Sequence, residues 1–316
     1  MTRAKRILVT GVAGFIGSAV ARRLLSEGYE VVGVDNLSTG FLSNVPECAY
    51  FIKGNIHDIN CIEKLYSWNF ETVYHIAGQS SGEISFSDPL YDLKTNVQST
   101  LLLLDLARRM NCKAFVYASS MSVYGEPADA NIPVTEDSAT LPKSFYAIGK
   151  LASENYMRIY SENYGLNCTA LRLFNVYGPG QNMENLKQGM VSIFLSYALK
   201  GKTIIVKGSG DRFRDQVYVD DVSEAFLLAA TKLRKFERSF QVYNISTGEK
   251  TTVDNVLDEI KKNGFNNVVE FVEGTPGDQL GIFGNSSKFR EDTGWLPTRN
   301  FSDGFQEMVE YFRRWG

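Results

Sequence analysis

The chain is poor in the residues of metal and disulfide chemistry. Among 316 residues there are two histidines and four cysteines. The cysteines lie far apart, with no C-x-x-C pair, at Cys48, Cys61, Cys112 and Cys168. These spacings exclude the patterns typical of zinc sites and disulfide frameworks. We therefore expect free thiols in a reducing cytoplasm, and no metal site.

The chain also has no charge excess and no long apolar run. Its 33 basic residues nearly balance 36 acidic ones, which leaves a net charge of −3 and no basic surface for a nucleic acid. The longest aliphatic cluster, Leu101 to Leu104, is far short of the roughly 20 residues that span a bilayer. The first residues pass from basic side chains straight into an apolar strand, without the features of a signal peptide. The sequence predicts a globular protein without a membrane or nucleic-acid partner.

Short aliphatic runs alternate with amphipathic stretches in the first half of the chain. "RILVTG", "YEVVGVDN", "CAYFIKGNI", "FETVYHIAG", "CKAFVYASS" and "LNCTALRLFN" read as buried strands, with room for helices between them. This alternation predicts an α/β fold, a doubly wound parallel sheet covered by helices on both faces. We assign residues 1–175 to this Rossmann-like domain, with returning segments near 215–250. Residues 176–316 are expected to form a smaller, mixed α/β lobe.

Three glycines follow the first strand and open the first helix. In "TGVAGFIG", Gly11, Gly14 and Gly17 are three residues apart, a variant of the dinucleotide fingerprint G-x-G-x-x-G. Glycines here allow a tight turn and a close approach of the backbone to a pyrophosphate at the helix N-terminus. A glycine turn that only packs a helix closely on a sheet is the alternative interpretation.

An acidic residue ends the second strand. Asp35 in "VVGVDN" can accept hydrogen bonds from both adenosine-ribose hydroxyls and would repel a 2′-phosphate. As a lone feature it could be an ordinary turn residue. Together with the glycine loop it predicts a dinucleotide site that takes NAD rather than NADP.

Tyr146 and Lys150 in "SFYAIGK" share one face of a predicted helix. Of the sixteen tyrosines, only Tyr146 has a lysine four residues on. The pair alone is compatible with ordinary helix surface. As a catalytic pair, the lysine ammonium and a positive nicotinamide ring would favour the phenolate. The tyrosine pKa, ordinarily about 10, should then fall towards neutrality.

These residues, with the serines of "YASSMSVYG" and the stretch "LRLFNVYGPGQ", resemble the extended short-chain dehydrogenases/reductases. Within them, the chain is similar to the NAD-dependent nucleotide-sugar epimerase and dehydratase family, typified by UDP-glucose 4-epimerase. The similarity covers essentially the whole chain. It implies tightly held NAD bound by residues 1–175, a UDP-sugar held by the lobe from 176 to 316, and a homodimer built on two helices per subunit.

The resemblance assigns roles to individual residues. It makes Tyr146 the catalytic base, Lys150 its partner, and Ser120 the hydroxyl on the reacting sugar oxygen. The implied cofactor contacts are Gly11, Gly14, Phe15, Ile16, Gly17, Asp35, Asn36, Ser38, Thr39, Gly40, Asn55, Ile56, Ala77, Gly78, Gln79, Asn96, Ser119, Tyr146, Lys150 and Phe174. The implied substrate contacts are Ser80, Ser120, Tyr146, Asn175, Arg214 and Asp278.

Several positions bear on the reaction. Met121 and Ser122 stand where related dehydratases carry acidic or polar groups, which favours C4 epimerisation through hydride removal and return over a 4-keto intermediate. Thr275 replaces an arginine that the family usually places three residues before the aspartate. Ile282 at the sugar gate favours hexoses without an N-acetyl group. A UDP-glucuronate 4-epimerase, another epimerase, dehydratase or reductase of the superfamily, and a non-catalytic NAD-binding regulator remain open.

Overall fold

The computed structural model describes residues 6–47, 49–186, 189–233, 239–274 and 280–315. Its strands, in chain order, are β1 Arg6–Thr10, β2 Glu30–Asp35, β3 Tyr50–Lys53, β4 Thr72–His75, β5 Ala114–Ser120, β6 Cys168–Leu173, β7 Asn175–Tyr177, β8 Ile204–Lys207, β9 Phe213–Arg214, β10 Gln216–Tyr218, β11 Phe240–Ile245, β12 Thr251–Thr252, β13 Val269–Val272 and β14 Gly281–Ile282.

The α-helices are α1 Phe15–Ser26, α2 Ile59–Leu65, α3 Gly82–Ser87, α4 Pro89–Leu93, α5 Ser99–Arg109, α6 Phe145–Tyr164, α7 Met190–Leu199, α8 Val219–Thr231, α9 Val253–Lys262, α10 Ser287–Thr293 and α11 Phe301–Trp315. A π-helical turn, Lys94–Gln98, joins α4 to α5 without a break. A short 3-10 turn, Met121–Tyr124, follows β5. No helix in the described ranges is long and apolar enough to cross a membrane.

Seven strands form one parallel sheet in the order β11-β6-β5-β4-β1-β2-β3. Every residue of β4, β5 and β6 is buried, as expected for strands covered by helices on both faces. The predicted doubly wound, Rossmann-like fold is confirmed. The carboxyl ends of the strands share one edge, and ligands bind at this edge in open α/β sheets.

The chain returns to this sheet after leaving it. β11 pairs with β6 in register from Phe240 opposite Cys168 to Ile245 opposite Leu173. Earlier in the chain, α8 packs along α1. Residues 219–231 and 240–245 therefore contribute to the layer structure of the large sheet.

The remaining elements build a smaller layer from three short sheets, β7 with β10, β9 between β12 and β14, and β8 with β13. Helices α7, α9 and α11 cover a separate apolar core that includes Leu195, Val256 and Phe305. The sequence pattern predicts one helix from 184 to 202. In the structure α7 begins only at Met190, because Gly189 has a positive φ of 88° that an α-helix does not accept.

Candidate active site

The glycine loop joins the end of β1 to the start of α1. Gly11 has a φ of +73°, and a Cβ there would lie 2.9 Å from the backbone of Ala77. A Cβ on Gly17 would collide with the carbonyl of Gly11. Helix α1, which begins with Phe15 and Ile16, has no side-chain cap and no acidic residue in its first turn. Its free N–H groups and positive dipole end can therefore receive a phosphate.

Asp35 stands beside this loop at the carboxyl end of β2. It is 9% exposed, and its carboxylate accepts the N–H of Ala13 at 3.0 Å and that of Leu37 at 2.8 Å. Leu37 has a φ of 61°, so this second bond steadies a left-handed backbone. A carboxylate offers about four acceptor positions, which leaves capacity for ribose hydroxyls.

Several of the residues predicted to contact the cofactor come together next to Asp35. Asn36 donates to the Asn55 side chain at 2.7 Å and accepts the Ser38 N–H at 2.9 Å. A Cβ on Gly40 would collide with Ala13, so this loop closes tightly over the glycine loop. Thr39 is exposed in the same loop, and Ile56 is buried after β3.

Asn96 is brought to the site by the π-helical turn, a geometry often found at functional positions. Its amide group donates to the Gln79 carbonyl and to the Asp92 carboxylate, both at 3.0 Å. Its buried Oδ1 has no hydrogen-bond partner in the described parts of the chain, and a Cβ on Gly78 would collide with it. A buried acceptor without a donor suits a site that receives a polar ligand.

Two of the predicted cofactor contacts, Gln79 and Ser119, donate hydrogen bonds to neighbouring groups of the protein. Gln79 donates to the Ser81 carbonyl at 2.7 Å and to Asp92 at 3.0 Å, while Ser119 donates to Glu154. These bonds use the donor hydrogens of both side chains, so each could meet a cofactor only as a hydrogen-bond acceptor. Ser80, the predicted substrate contact in this loop, is exposed.

Tyr146 and Lys150 lie in the first turns of α6, which begins after the cap Ser144. Tyr146 is 9% and Lys150 4% exposed, so the pair is not helix surface. The Lys150 ammonium lies 5.6 Å from the Tyr146 ring centre and 4.7 Å from the Tyr117 ring centre. It donates to the Ala118 carbonyl at 2.9 Å, which holds it at the carboxyl end of β5.

Burial sets the titration of this pair. It raises the pKa of Tyr146 to about 12, although the neighbouring Ser120 hydroxyl offsets part of the rise. Burial likewise lowers the pKa of Lys150 to about 8. The expected fall of the tyrosine pKa does not arise from the residues of the chain alone, because loss of water around the phenolate and the Asp92 charge outweigh the Ser120 hydrogen bond. A phenolate here needs a further positive charge beside it.

Ser120 ends β5 and caps the turn that follows. Its hydroxyl accepts the Ser122 N–H at 3.2 Å and donates to the Ser122 hydroxyl at 3.0 Å. Met121 packs partly buried against the main core. Neither Met121 nor Ser122 offers a carboxylate next to Ser120.

The predicted substrate contacts continue along the same edge. Ser120 is paired with Leu173, so that Phe174, which is buried, and Asn175 follow directly beyond it. The Asn175 Oδ1 is buried and has no hydrogen-bond partner in the described segments.

Arg214 is close to this edge as well. Asn175 lies opposite Gln216, two residues after Arg214. Ile282 lies directly opposite Arg214 in the β9–β14 pair. Asp278 and Thr275 fall outside the described residues.

Sequence reasoning missed four buried polar residues around the pair: Asp92, Tyr117, Glu154 and Arg172. Two of them had a signal in the sequence. Asp92 precedes Asn96 by four residues and Glu154 follows Lys150 by four, which is helical spacing onto one face. Tyr117 and Arg172 lie within apolar strand patterns, where nothing marks them as part of the site.

Together these features fit a dinucleotide. The open helix start suits the diphosphate, Asp35 the adenosine ribose, and the unpartnered Asn96 oxygen a polar group near Lys150. In the described residues no cluster of histidine, cysteine and carboxylate side chains could hold a metal.

Comparison with known proteins agrees with this geometry. A model of the NAD dependent epimerase/dehydratase family matches residues 7–246. A UDP-glucose 4-epimerase from Mycolicibacterium smegmatis is 36% identical over 315 residues, covering 98% of each chain. A Thermotoga maritima UDP-glucose 4-epimerase solved with UDP-glucose is 37% identical, with a TM-score of 0.92 over 98% of this chain and 99% of that one.

A third similar protein is the Thermus thermophilus UDP-glucose 4-epimerase, solved in complex with NAD. It is 35% identical, with a TM-score of 0.89 over 98% of this chain and all of the other. The family match covers far more than half of the sequence. The chain thus belongs to the NAD dependent epimerase/dehydratase family.

Proposed function

We propose that this protein is an NAD-dependent nucleotide-sugar 4-epimerase that interconverts UDP-glucose and UDP-galactose. The observation that carries the proposal is the buried Tyr146–Lys150 pair beside Ser120, followed by a turn without a carboxylate. The similarity to UDP-glucose 4-epimerases over nearly the full chain supports the same reaction.

NAD would be held by the glycine loop, the start of α1 and Asp35. The uncapped helix start favours the diphosphate, and the Asp35 carboxylate favours ribose hydroxyls over a 2′-phosphate. When bound, the oxidised cofactor supplies a hydride acceptor and a positively charged ring. This charge is the kind that a phenolate at Tyr146 requires.

The residues of the chain divide the remaining work. Tyr146 takes the proton from the sugar C4 hydroxyl and later returns it, while Ser120 donates a hydrogen bond to the same oxygen. Lys150 attracts the negative charge on the phenolate. Met121 and Ser122 cannot remove a proton from C5, so loss of water from the sugar is disfavoured.

The lobe formed by residues 176–316 would bind the nucleotide sugar. A sugar that presents both faces in turn must be held loosely, so binding should rely on the nucleotide. We assign diphosphate binding to Arg214, with Asn175 facing the sugar diphosphate and Asp278 the nucleoside. Ile282, buried opposite Arg214, leaves less room for an N-acetyl group and favours a plain hexose.

A homodimer in the cytoplasm is part of the same proposal. Helices α4 and α6 carry exposed apolar side chains, among them Leu90 at 68% and Ile148 at 51%. A second copy packing on this face would bury them, as two helices per subunit would in the family. The free thiols Cys61, Cys112 and Cys168 agree with a reducing compartment.

Turnover in heavy water tests the reaction. Purified protein is incubated with UDP-glucose, and separately with UDP-glucuronate, and the products are read by NMR. We expect the C4 epimer at unchanged oxidation level, without deuterium on any ring carbon. Loss of water with deuterium uptake would indicate a dehydratase, and accumulation of NADH with a keto product a dehydrogenase. Turnover of UDP-glucuronate without turnover of UDP-glucose would indicate a UDP-glucuronate 4-epimerase instead.

A further inference from the structure

Asp92 on α4 is a buried carboxylate that the proposed reaction leaves without a role. It is 1% exposed, and its Oδ1 accepts hydrogen bonds from the Asn96 and Gln79 amides, both at 3.0 Å. Both donors are neutral. In the described part of the chain no lysine or arginine forms a direct ion pair with it. A buried carboxylate without a paired cation is costly unless a positive charge lies near.

The positive charge that acts on the Asp92 carboxylate belongs to Lys150. A Cβ on Gly149, the preceding residue, would lie 3.3 Å from the Asp92 Oδ2. On the other side of the Asn96 amide, a Cβ on Gly78 would lie 3.7 Å from the Lys150 nitrogen. The glycine at 149 thus lets α4 approach α6 directly beside Lys150, and Asn96 stands between the carboxylate and the ammonium.

Five titratable groups face Lys150 from four elements: Tyr146 and Glu154 of α6, Tyr117 of β5, His75 of β4 and Asp92 of α4. Burial raises the pKa of both tyrosines and holds that of His75 well below its usual range, so these three are neutral near pH 7.

Glu154 has its own cation. Two hydrogen bonds from Arg172, at 2.7 and 3.0 Å, pair it completely. Asp92 is therefore the one negative charge around Lys150, within the described residues, that no other cation balances. Of the two carboxylates, it also contributes more to keeping the lysine charged.

We propose that Asp92 is the counter-charge of Lys150, a buried positioning residue that keeps the ammonium protonated and thereby sets the pH range in which Tyr146 works. Only the effect on turnover rests on the proposed function. The electrostatic coupling of Asp92 to Lys150 stands apart from it.

Asp92→Asn removes the charge and retains an oxygen that can accept from both amides. The protonated lysine then loses a stabilising charge, so its pKa falls. The phenolate of Tyr146 is no longer repelled by a neighbouring negative charge, so the pKa of Tyr146 falls as well. Both limbs of the pH profile of kcat/KM should move to lower pH by about one unit. A purely structural role would lower the rate at every pH without moving the limbs.

The direct test is NMR titration of Lys150 in the full chain carrying ¹³C-labelled lysine, with NAD present and absent. Lys150→Arg identifies the resonance. We expect its pKa in Asp92→Asn to lie about one unit below that of the unmodified protein. Asp88→Asn is the matched control, because Asp88 is the exposed cap of the same helix and should leave the titration unchanged.

If Asp92→Asn does not fold, Asp92→Ser removes the same charge with less volume and is titrated instead. A Lys150 resonance that titrates alike with and without the Asp92 charge would overturn the proposal. So would an equal shift in Asp88→Asn, since the effect would then be general. The titration needs no turnover. An inactive wild-type protein whose Lys150 still responds to Asp92 would refute the epimerase function and leave this inference intact.

Discussion

Arg172 and Glu154 form a buried ion pair below the turn of α6 that carries Lys150. Their side chains are 6% and 4% exposed, and two hydrogen bonds of 2.7 and 3.0 Å join them. Ser119 donates to the same carboxylate, and Arg172 also donates to the Tyr124 hydroxyl at 3.0 Å. The network connects α6 with β5 and β6, so it sets the position of Tyr146 relative to Ser120.

Replacing Glu154 by alanine should destabilise the protein strongly. Arg172 would remain buried without its partner, a change that typically costs about 3–5 kcal/mol. Urea unfolding measures the difference. Arg158 and Glu162 form an exposed pair on the same helix, so Glu162→Ala should change stability by less than about 1 kcal/mol. An equal loss of unfolding free energy in both variants would mean that the buried pair stabilises the protein no more than the exposed pair does.

Tyr146→Phe should fold and bind NAD but lose most activity, by about 10²- to 10⁴-fold in kcat. The ring is buried in the site, and in the proposed mechanism only its hydroxyl oxygen takes part as the base. Turnover of UDP-glucose and retained cofactor are measured together. Tyr156→Phe removes a hydroxyl from an exposed tyrosine of the same helix and should leave kcat unchanged. A Tyr146→Phe enzyme near the wild-type rate would exclude this base.

The purified protein should prefer NAD to NADP, and Asp35→Ala should narrow the difference. In the proposed binding mode the carboxylate would repel a 2′-phosphate. Its removal also frees the N–H groups of Ala13 and Leu37. Asp35→Asn is therefore the better-matched variant, since its amide oxygen can keep one of these bonds. Calorimetry on cofactor-free protein gives both affinities. Equal binding of the two cofactors by the wild type would contradict the role of Asp35.

His75 should make the fold sensitive to acid. The N–H groups of Ile76 and Ala77 donate to the Thr10 hydroxyl, which therefore donates to Nδ1 of His75. The His75 proton then lies on Nε2, which donates it to the Thr100 hydroxyl at 3.0 Å. Both nitrogens are satisfied in the neutral ring, and full burial holds the pKa of His75 well below its usual value of 6.5.

The unfolded chain binds this proton below pH 6.5 and the folded chain does not, so stability falls as pH decreases. One such group contributes up to about 1.4 kcal/mol per pH unit in that window. The free energy of unfolding is measured with urea at pH 7, 6 and 5. Its change per pH unit should be smaller by that amount in His75→Gln than in the unmodified protein. His57 is partly exposed, and burial lowers its pKa as well, so the same change there should reduce the pH dependence by less than the change at His75 does. If the free energy of unfolding changed with pH identically in all three proteins, His75 would not be the titrating group.

Local patterns were enough to predict the large sheet, the glycine loop, Asp35 and the Tyr146–Lys150 spacing. Each depends on residues close in sequence: aliphatic runs make buried strands, glycines permit a tight turn, and a four-residue interval shares a helix face. The predicted start of α7 was wrong, because the sequence pattern continues on the N-terminal side of Gly189, whose backbone cannot be helical.

The environment of the pair needed the folded chain. Whether Tyr146 lies on the surface or in a dry pocket depends on residues from β5, β6 and α4, which are distant in sequence. The direction of its pKa in the chain alone follows from that burial and is a rise, whereas the predicted fall relied on a positive nicotinamide ring as well as on Lys150. Asp92 and Arg172 look like ordinary polar positions until packing removes their water. Residue identity and spacing are enough to indicate which chemical groups are present. The charge that each group carries depends on long-range contacts and desolvation, which appear only in three dimensions.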